Sequence, residues 1–188
     1  TDITRTYPLG ELTEDEKRFY TWTLQSHIDL ARAVWLDYCE CKMIDTIARE
    51  PLWRHLINYR CGTGHSVSFV GNVHEGPHAL NSRNTTRMRP GMVVTDEPGV
   101  YETDLVGIRI ENELVCIHKA DNQYGTFLGF EPLTFVPIAT SPILPGVLDK
   151  DELAWLNDYH RQVFAKLAPH LNAEERVWLA EKCASIGC

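Results

Sequence analysis

Five side chains in this sequence combine reactive chemistry with a constrained backbone: Asp2, His65, His74, Glu97 and Glu111. Four of the five lie beside glycines and prolines, in Gly64-His65, His74-Glu-Gly-Pro77, Glu97-Pro-Gly99 and Gly107-Ile-Arg-Ile-Glu111, and Asp2 lies in the opening Thr1-Asp-Ile-Thr-Arg-Thr6. A glycine or proline beside an acid puts its carboxylate on a turn with little backbone freedom, which suits a positioned ligand. The two glutamates fall at what should be facing strand ends, and two carboxylates brought together repel unless a cation lies between them. A nearby imidazole can fill a further coordination position. Such an oxygen-rich, nitrogen-poor set suits Mn²⁺, or Co²⁺, Fe²⁺ and Zn²⁺ in dinuclear hydrolases. The bland reading is that a glutamate before Pro-Gly is a solvated turn residue. His27, His55, His118, His160 and His170 sit in helical or strand patterns without an acidic companion set, and His78 sits in a loop.

The elements that must position these groups can be read from pattern and punctuation. Thr13-Glu-Asp-Glu16 is a capping box, with extra carboxylates that favour a helix N-terminus. Tyr20, Leu24, Ile28, Ala31 and Trp35 then recur at helical spacing, which predicts a helix to about Trp35. Met43, Ile44, Ile47 and Ala48 predict a second, short helix ended by Pro51. From about Arg60 to Ile138 short β-rich runs alternate with Gly and Pro. Strands are expected at Val67–Val70, Met92–Thr95, Gly107–Ile110, Glu113–Ile117 and Leu133–Pro137, with Gly125, Gly129 and Pro132 interrupting the later part. The polar, basic stretch Ala79–Arg89 reads as a surface loop. Asp149 or Asp151 should cap a helix through Leu153, Leu156, Tyr159, Val163 and Leu167 that Pro169 ends, and Asn172-Ala-Glu-Glu175 is a second capping box. Helix, sheet, helix is an α+β order rather than a βαβ alternation.

Composition narrows the function classes. The 188 residues are 44% hydrophobic and 23% charged, which is enough apolar mass for a core. With 18 Lys and Arg against 26 Asp and Glu, the net charge of −8 argues against nucleic-acid binding as the main role. Apolar runs such as Thr134–Ile138 are far too short to cross a bilayer, so no membrane role is expected. The cysteines at 39, 41, 61, 116, 183 and 188 form no C-x-x-C pair and are read as reduced thiols of a cytoplasmic protein.

Five strings occur in one order: Cys61-Gly-Thr-Gly-His65, Asn72-Val-His-Glu-Gly-Pro77, Gly91-Met-Val-Val-Thr-Asp-Glu-Pro-Gly99, Gly107-Ile-Arg-Ile-Glu-Asn112 and Phe127-Leu-Gly-Phe-Glu-Pro-Leu-Thr134. With the opening Thr1-Asp-Ile-Thr-Arg-Thr6, they resemble the pita-bread metallopeptidases over essentially the whole chain. Within that family they are most similar to the Xaa-Pro aminopeptidases, with prolidase and methionine aminopeptidase more distant.

The resemblance implies a pita-bread fold, a curved antiparallel sheet flanked by helices, and a metal-dependent hydrolase. It implies two divalent cations, Mn²⁺ first, then Co²⁺ or Zn²⁺. Their ligands would include Asp2 (on a strand), His65, Glu97 and Glu111, the last bridging both ions. A shared hydroxide would attack the peptide carbonyl, with Glu97 as proton carrier, His74 binding substrate and stabilising the oxyanion, and Arg109 holding carboxylates. The substrate would be a peptide with proline second, from which one N-terminal residue is released; relatives are often homodimers. The family has a first aspartate ligand upstream of Asp2, so the chain is expected to be a truncated piece, 1–148 forming part of the catalytic domain and 149–188 a helical extension packed on it. As such it should be inactive alone and bind metal weakly or not at all. Cys61 stands where aminopeptidase P relatives carry a histidine of the proline-binding pocket, and Ser66 and Ser68 replace family glycines. A prolidase-like dipeptidase and a non-catalytic binding module of the same fold are the alternatives.

Overall fold

The computed structural model describes residues 2–187; Thr1 of the opening string and the Cys188 thiol lie outside the described residues. Helix α1 (Glu14–Ala31) starts at the Thr13–Glu16 capping box, in which each side chain accepts from the other's backbone N–H. It ends before Trp35 rather than at it. Val34–Leu36 is instead a strand, β1, and Trp35 packs on Phe130 of β8 (Gly125–Pro132). The helical spacing to Trp35 arises because that ring faces the core from either conformation. Helix α2 (Cys41–Trp53) runs through Pro51 rather than stopping there. Proline removes one N–H and leaves the rest of the turn to close, as Arg54 N–H does on the Glu50 carbonyl at 3.1 Å.

The remaining strands are β2 (Gly64–His65), β3 (Ala79–Leu80), β4 (Val93–Asp96), β5 (Gly99–Glu102), β6 (Val106–Arg109) and β7 (Asn112–Asn122). A four-stranded antiparallel sheet has the order β1-β8-β7-β4, and two smaller pairs join β2 to β3 and β5 to β6. Three expectations need correction. Val67–Val70 is not a strand: the Ser68 hydroxyl caps Val70 N–H, and Gly71 turns the chain at φ +97°. Leu133–Pro137 is not one either: after Leu133 N–H reaches the Glu113 carbonyl, the backbone turns to side chains, Val136 N–H to Tyr159 and the Val136 and Pro137 carbonyls to Arg5. The stretch 79–89 is only partly a surface loop, since Leu80 and Met88 are buried.

One feature of the sheet matters most for function. Strand β4 pairs with β7 up to Asp96↔Asn112, and the same two stretches of chain pair again as β5 and β6 from Gly99↔Arg109. The ladder is broken between them, at Glu97-Pro98 on one side and Ile110-Glu111 on the other. Proline cannot donate to a ladder, so Pro98 fixes the break. Both glutamates therefore sit in one gap.

Helix α3 (Lys150–Leu167) begins at a capping box formed by Asp149 and Glu152, passes into a 3₁₀ turn at Ala168–His170 where Pro169 falls, and is followed by α4 (Ala173–Lys182) with its Asn172–Glu175 box. Leu24 and Ile28 of α1, Ile108 and Ile110 beside the gap, and Leu156, Tyr159 and Val163 of α3 form one apolar core. A second core lies between α2 and the four-stranded sheet. No helix among the described residues is long and apolar enough to cross a membrane. Leu24 is fully buried where α1 meets α3. Leu24→Ala should cost about 2–5 kcal/mol in denaturant unfolding; a loss below about 0.5 kcal/mol would place α1 outside the core.

Candidate metal centre

The gap between the two strand pairs has two faces, because side chains alternate along a strand. Thr95, Glu97, Glu111 and Glu113 fall on the front and Asp96 and Asn112 on the back. Residues 2–6 lie along this edge as a single antiparallel bridge, Thr4 with Glu111, rather than as a full strand. Glu111 N–H donates to the Thr4 carbonyl at 3.0 Å, and Asp2 N–H donates to Glu113 Oε1 at 3.0 Å. The Thr4 hydroxyl donates to Glu111 Oε2, and Thr6 exchanges hydrogen bonds with the Arg109 backbone. Arg5 locks the segment in place. Its guanidinium donates to the carbonyls of Thr4, Glu111, Val136 and Pro137, to Asn112 Oδ1 and to the Tyr159 hydroxyl.

His65 arrives from the other side on β2. A Cβ at Gly64 would lie 1.7 Å from the Thr95 carbonyl oxygen, so only glycine allows this approach. The Thr95 hydroxyl is a shared node: it accepts from His65 N–H at 3.0 Å and donates to Glu97 Oε1 at 2.9 Å. His65 Nδ1 lies 3.1 Å from the Ser66 carbonyl. That bond puts the ring proton on Nδ1 and leaves the Nε2 lone pair facing the acids. Nε2 is 3.2 Å from Asp2 Oδ2 and 3.1 Å from Glu97 Oε1.

One ligand atom each from Asp2, His65 and Glu111 lies within 4.8 Å of the others. Glu97 stands beside this trio, its Oε1 toward His65 and its Oε2 paired with Arg109 Nη1 at 3.1 Å. The His74 ring, on an exposed loop, lies 3.8 Å from the His65 ring between centroids. Cys61, His65, His74, Glu97 and Arg109 share one cleft of about 490 Å³, and the Cys61 thiol lies 3.6 Å from the Gly99 carbonyl. All seven sequence-selected residues are thus gathered in or beside one gap.

Charge dominates the arrangement. Burial pushes the Glu111 carboxyl up to about 7, against the lowering effect of the Thr4 hydroxyl, and the negative charges of Glu97 and Asp2 add to the rise. Three carboxylates face each other with one guanidinium among them, already taken by Glu97. The donor set fits a hard or borderline divalent cation: several carboxylate oxygens and one imidazole nitrogen of fixed tautomer, with negative charge to spare.

Sequence reading missed several supporting residues. Thr4, Arg5 and Thr95 lie inside the quoted strings, where their polarity was the available signal. His27, set aside as lacking an acidic companion, is fully buried with Nδ1 3.0 Å from Asp96 Oδ2. His118 also has one, Asp121, at 2.9 Å on the surface. The cysteines at 39, 41, 61, 116 and 183 are unpaired.

Residues 1–118 match the profile of metallopeptidase family M24, and residues 126–186 that of the C-terminal region of peptidase M24. The chain is 40% identical to a probable Xaa-Pro aminopeptidase P of Laccaria bicolor, over 99% of this chain and 30% of that protein. It is 43% identical to aminopeptidase P2 of Arabidopsis thaliana, over 95% of this chain and 26% of that one. A crystal structure of X-prolyl aminopeptidase from Caenorhabditis elegans, described as a cytosolic enzyme with a di-nuclear active site, superposes with a TM-score of 0.92 at 37% identity, over 99% of this chain and 31% of that one. An Xaa-Pro dipeptidase from Bacillus anthracis gives 0.62 at 27% identity, over 73% and 36%. The fold is thus the pita-bread fold expected from the sequence, and the chain spans about a third or less of the length of these relatives.

The raised carboxyl makes a pH prediction for the metal-free protein. A group whose folded pKa (about 7 for Glu111) exceeds its ordinary 4.5 contributes stability that is full below about 4.5 and is lost as pH rises through about 7. The melting temperature of metal-stripped protein should therefore fall between pH 5 and pH 8, and Glu111→Gln should flatten that slope. A slope unchanged in the variant would show that Glu111 is not the strained acid.

Proposed function

The chain belongs to metallopeptidase family M24, and from that premise we propose that the protein carrying it is an Xaa-Pro aminopeptidase that uses two divalent cations, Mn²⁺ first among them. The observation that carries this reading is the convergence of Asp2, His65 and Glu111 on one point, with Glu97 and its arginine alongside. Asp2, His65, Glu97 and Glu111 would hold the cations. When bound, the cations would lower the pKa of water and polarise the scissile carbonyl.

The chain's own residues supply the rest. Glu97 Oε1, turned toward His65 and steadied by Thr95, takes the proton released by the attacking water and passes it to the leaving proline nitrogen. Arg109 holds Glu97 in the orientation that this transfer needs. His74 donates to the oxyanion that develops on the carbonyl. Cys61 lines the wall against which the substrate rests.

Residues 1–148 then form part of the catalytic unit, and 149–188 a helical extension that shares the core of α1. A cytoplasmic location fits the unpaired thiols and the cytosolic nematode relative. A dipeptidase of the prolidase kind is the second reading, supported by the weaker likeness to the bacterial dipeptidase.

Kinetics of the full-length protein in Mn²⁺ test both. Xaa-Pro-Yaa peptides should lose one residue faster than Xaa-Pro dipeptides are cleaved. Glu97→Gln should lower kcat by about 100- to 10,000-fold with KM little changed, and Glu111→Gln should abolish turnover. Preference for the dipeptide would favour the second reading, and full activity in Glu111→Gln would refute both.

A further inference from the structure

Behind the gap lies a polar group that the proposed reaction does not use. Asp96 and Asn112 are direct cross-strand partners, the residue before Glu97 and the residue after Glu111. Because side chains alternate, they point away from the front face. Both meet one side chain, His27 of α1. Asn112 Nδ2 donates to His27 Nε2 at 3.3 Å, which leaves the ring proton on Nδ1, and Nδ1 lies 3.0 Å from Asp96 Oδ2. The Nδ1 approach is off the hydrogen-bonding line, so it fixes Asp96 by close contact in a buried space rather than by an aligned bond. His27 and Asp96 are 0% exposed, and the imidazole packs edge-on against Trp155 of α3. Asn112 Oδ1 is held in turn by Arg5 Nη2 at 2.7 Å.

A buried polar cluster is costly, and an apolar trio would fill this space without that cost. Its placement explains it. The strand ladder stops at Asp96↔Asn112, so no backbone pairing spans Glu97 and Glu111 themselves. We propose that His27 is a positioning residue for the two glutamates: by joining Asp96 to Asn112 behind the break, it fixes the separation of Glu97 and Glu111 in front. This rests on the proposed role of those glutamates as metal ligands. His27 touches no substrate and does no chemistry. Its effect reaches the metal through neighbours of the ligands, as outer-shell partners generally act.

The test uses metal-stripped full-length protein, titrated calorimetrically with Mn²⁺, together with its melting temperature before metal is added. His27→Ala should weaken Mn²⁺ binding by about 10- to 100-fold. His27→Asn, whose amide can stand for Nδ1 toward Asp96, and His27→Gln, whose amide can stand for Nε2 toward Asn112, should each recover part of it. A purely structural histidine would lower the melting temperature and leave the Mn²⁺ affinity of folded protein unchanged; that result overturns the inference. If His27→Ala does not fold, wild-type affinity in both amide variants overturns it as well. Glu111→Gln separates this from the wider reading. Failure of the wild type to bind Mn²⁺, or wild-type binding by Glu111→Gln, removes the metal site itself. A site lost in Glu111→Gln but intact in every His27 variant removes only the role of His27.

Discussion

Mutual repulsion of carboxylates inside a break in a β-ladder is the constraint around which this structure is arranged. Pro98 interrupts one strand opposite Ile110-Glu111 of the other, and the gap draws Glu97, Glu111 and Asp2 together. Two unit charges 4 Å apart cost about 4 kcal/mol at an effective dielectric near 20. That is a large share of the 5–15 kcal/mol by which a domain of ordinary size is stable. The surrounding structure can be understood as a set of answers to this cost.

Those answers are distributed unequally. Glu97 receives the Arg109 guanidinium and the Thr95 hydroxyl. Among the described residues the Glu111 carboxyl accepts from the Thr4 hydroxyl alone, and it is pushed up to about 7. Arg5, although beside Glu111, spends its donors on backbone carbonyls, Asn112 and Tyr159. It holds the geometry of the edge without cancelling the charge at its centre. The division leaves a negative, rigid, nitrogen-edged cavity. A cation would relieve that charge, and side chains already gathered lose less freedom on binding than scattered ones.

Much of this could be read from the sequence because the signals were local. The Thr13, Asp149 and Asn172 boxes are short-range hydrogen-bond patterns, and all three start helices. The ordered Gly-Thr-Gly-His, Thr-Asp-Glu-Pro-Gly and Gly-Ile-Arg-Ile-Glu strings led to the site because each has its own backbone requirement, as at Gly64. What could not be read depended on distant partners. Val67–Val70 has strand-forming residues but is closed into a turn by Ser68. Leu133–Pro137 has the same texture but gives the backbone groups of Val136 and Pro137 to Arg5 and Tyr159, distant in sequence. Strand β5, Gly99–Glu102, carried little pattern of its own and exists through pairing with β6. His27 was invisible for the same reason: nothing near it in sequence foretells Asp96 or Asn112.

The central claim is that these converging acids and His65 form a cation site. It is tested most directly by anomalous diffraction from crystals of the full-length protein grown with Mn²⁺. The account predicts two anomalous peaks in the gap, within bonding distance of Asp2, His65, Glu97 and Glu111. Ordered side chains in that gap with no peak among them, at saturating Mn²⁺, would contradict it.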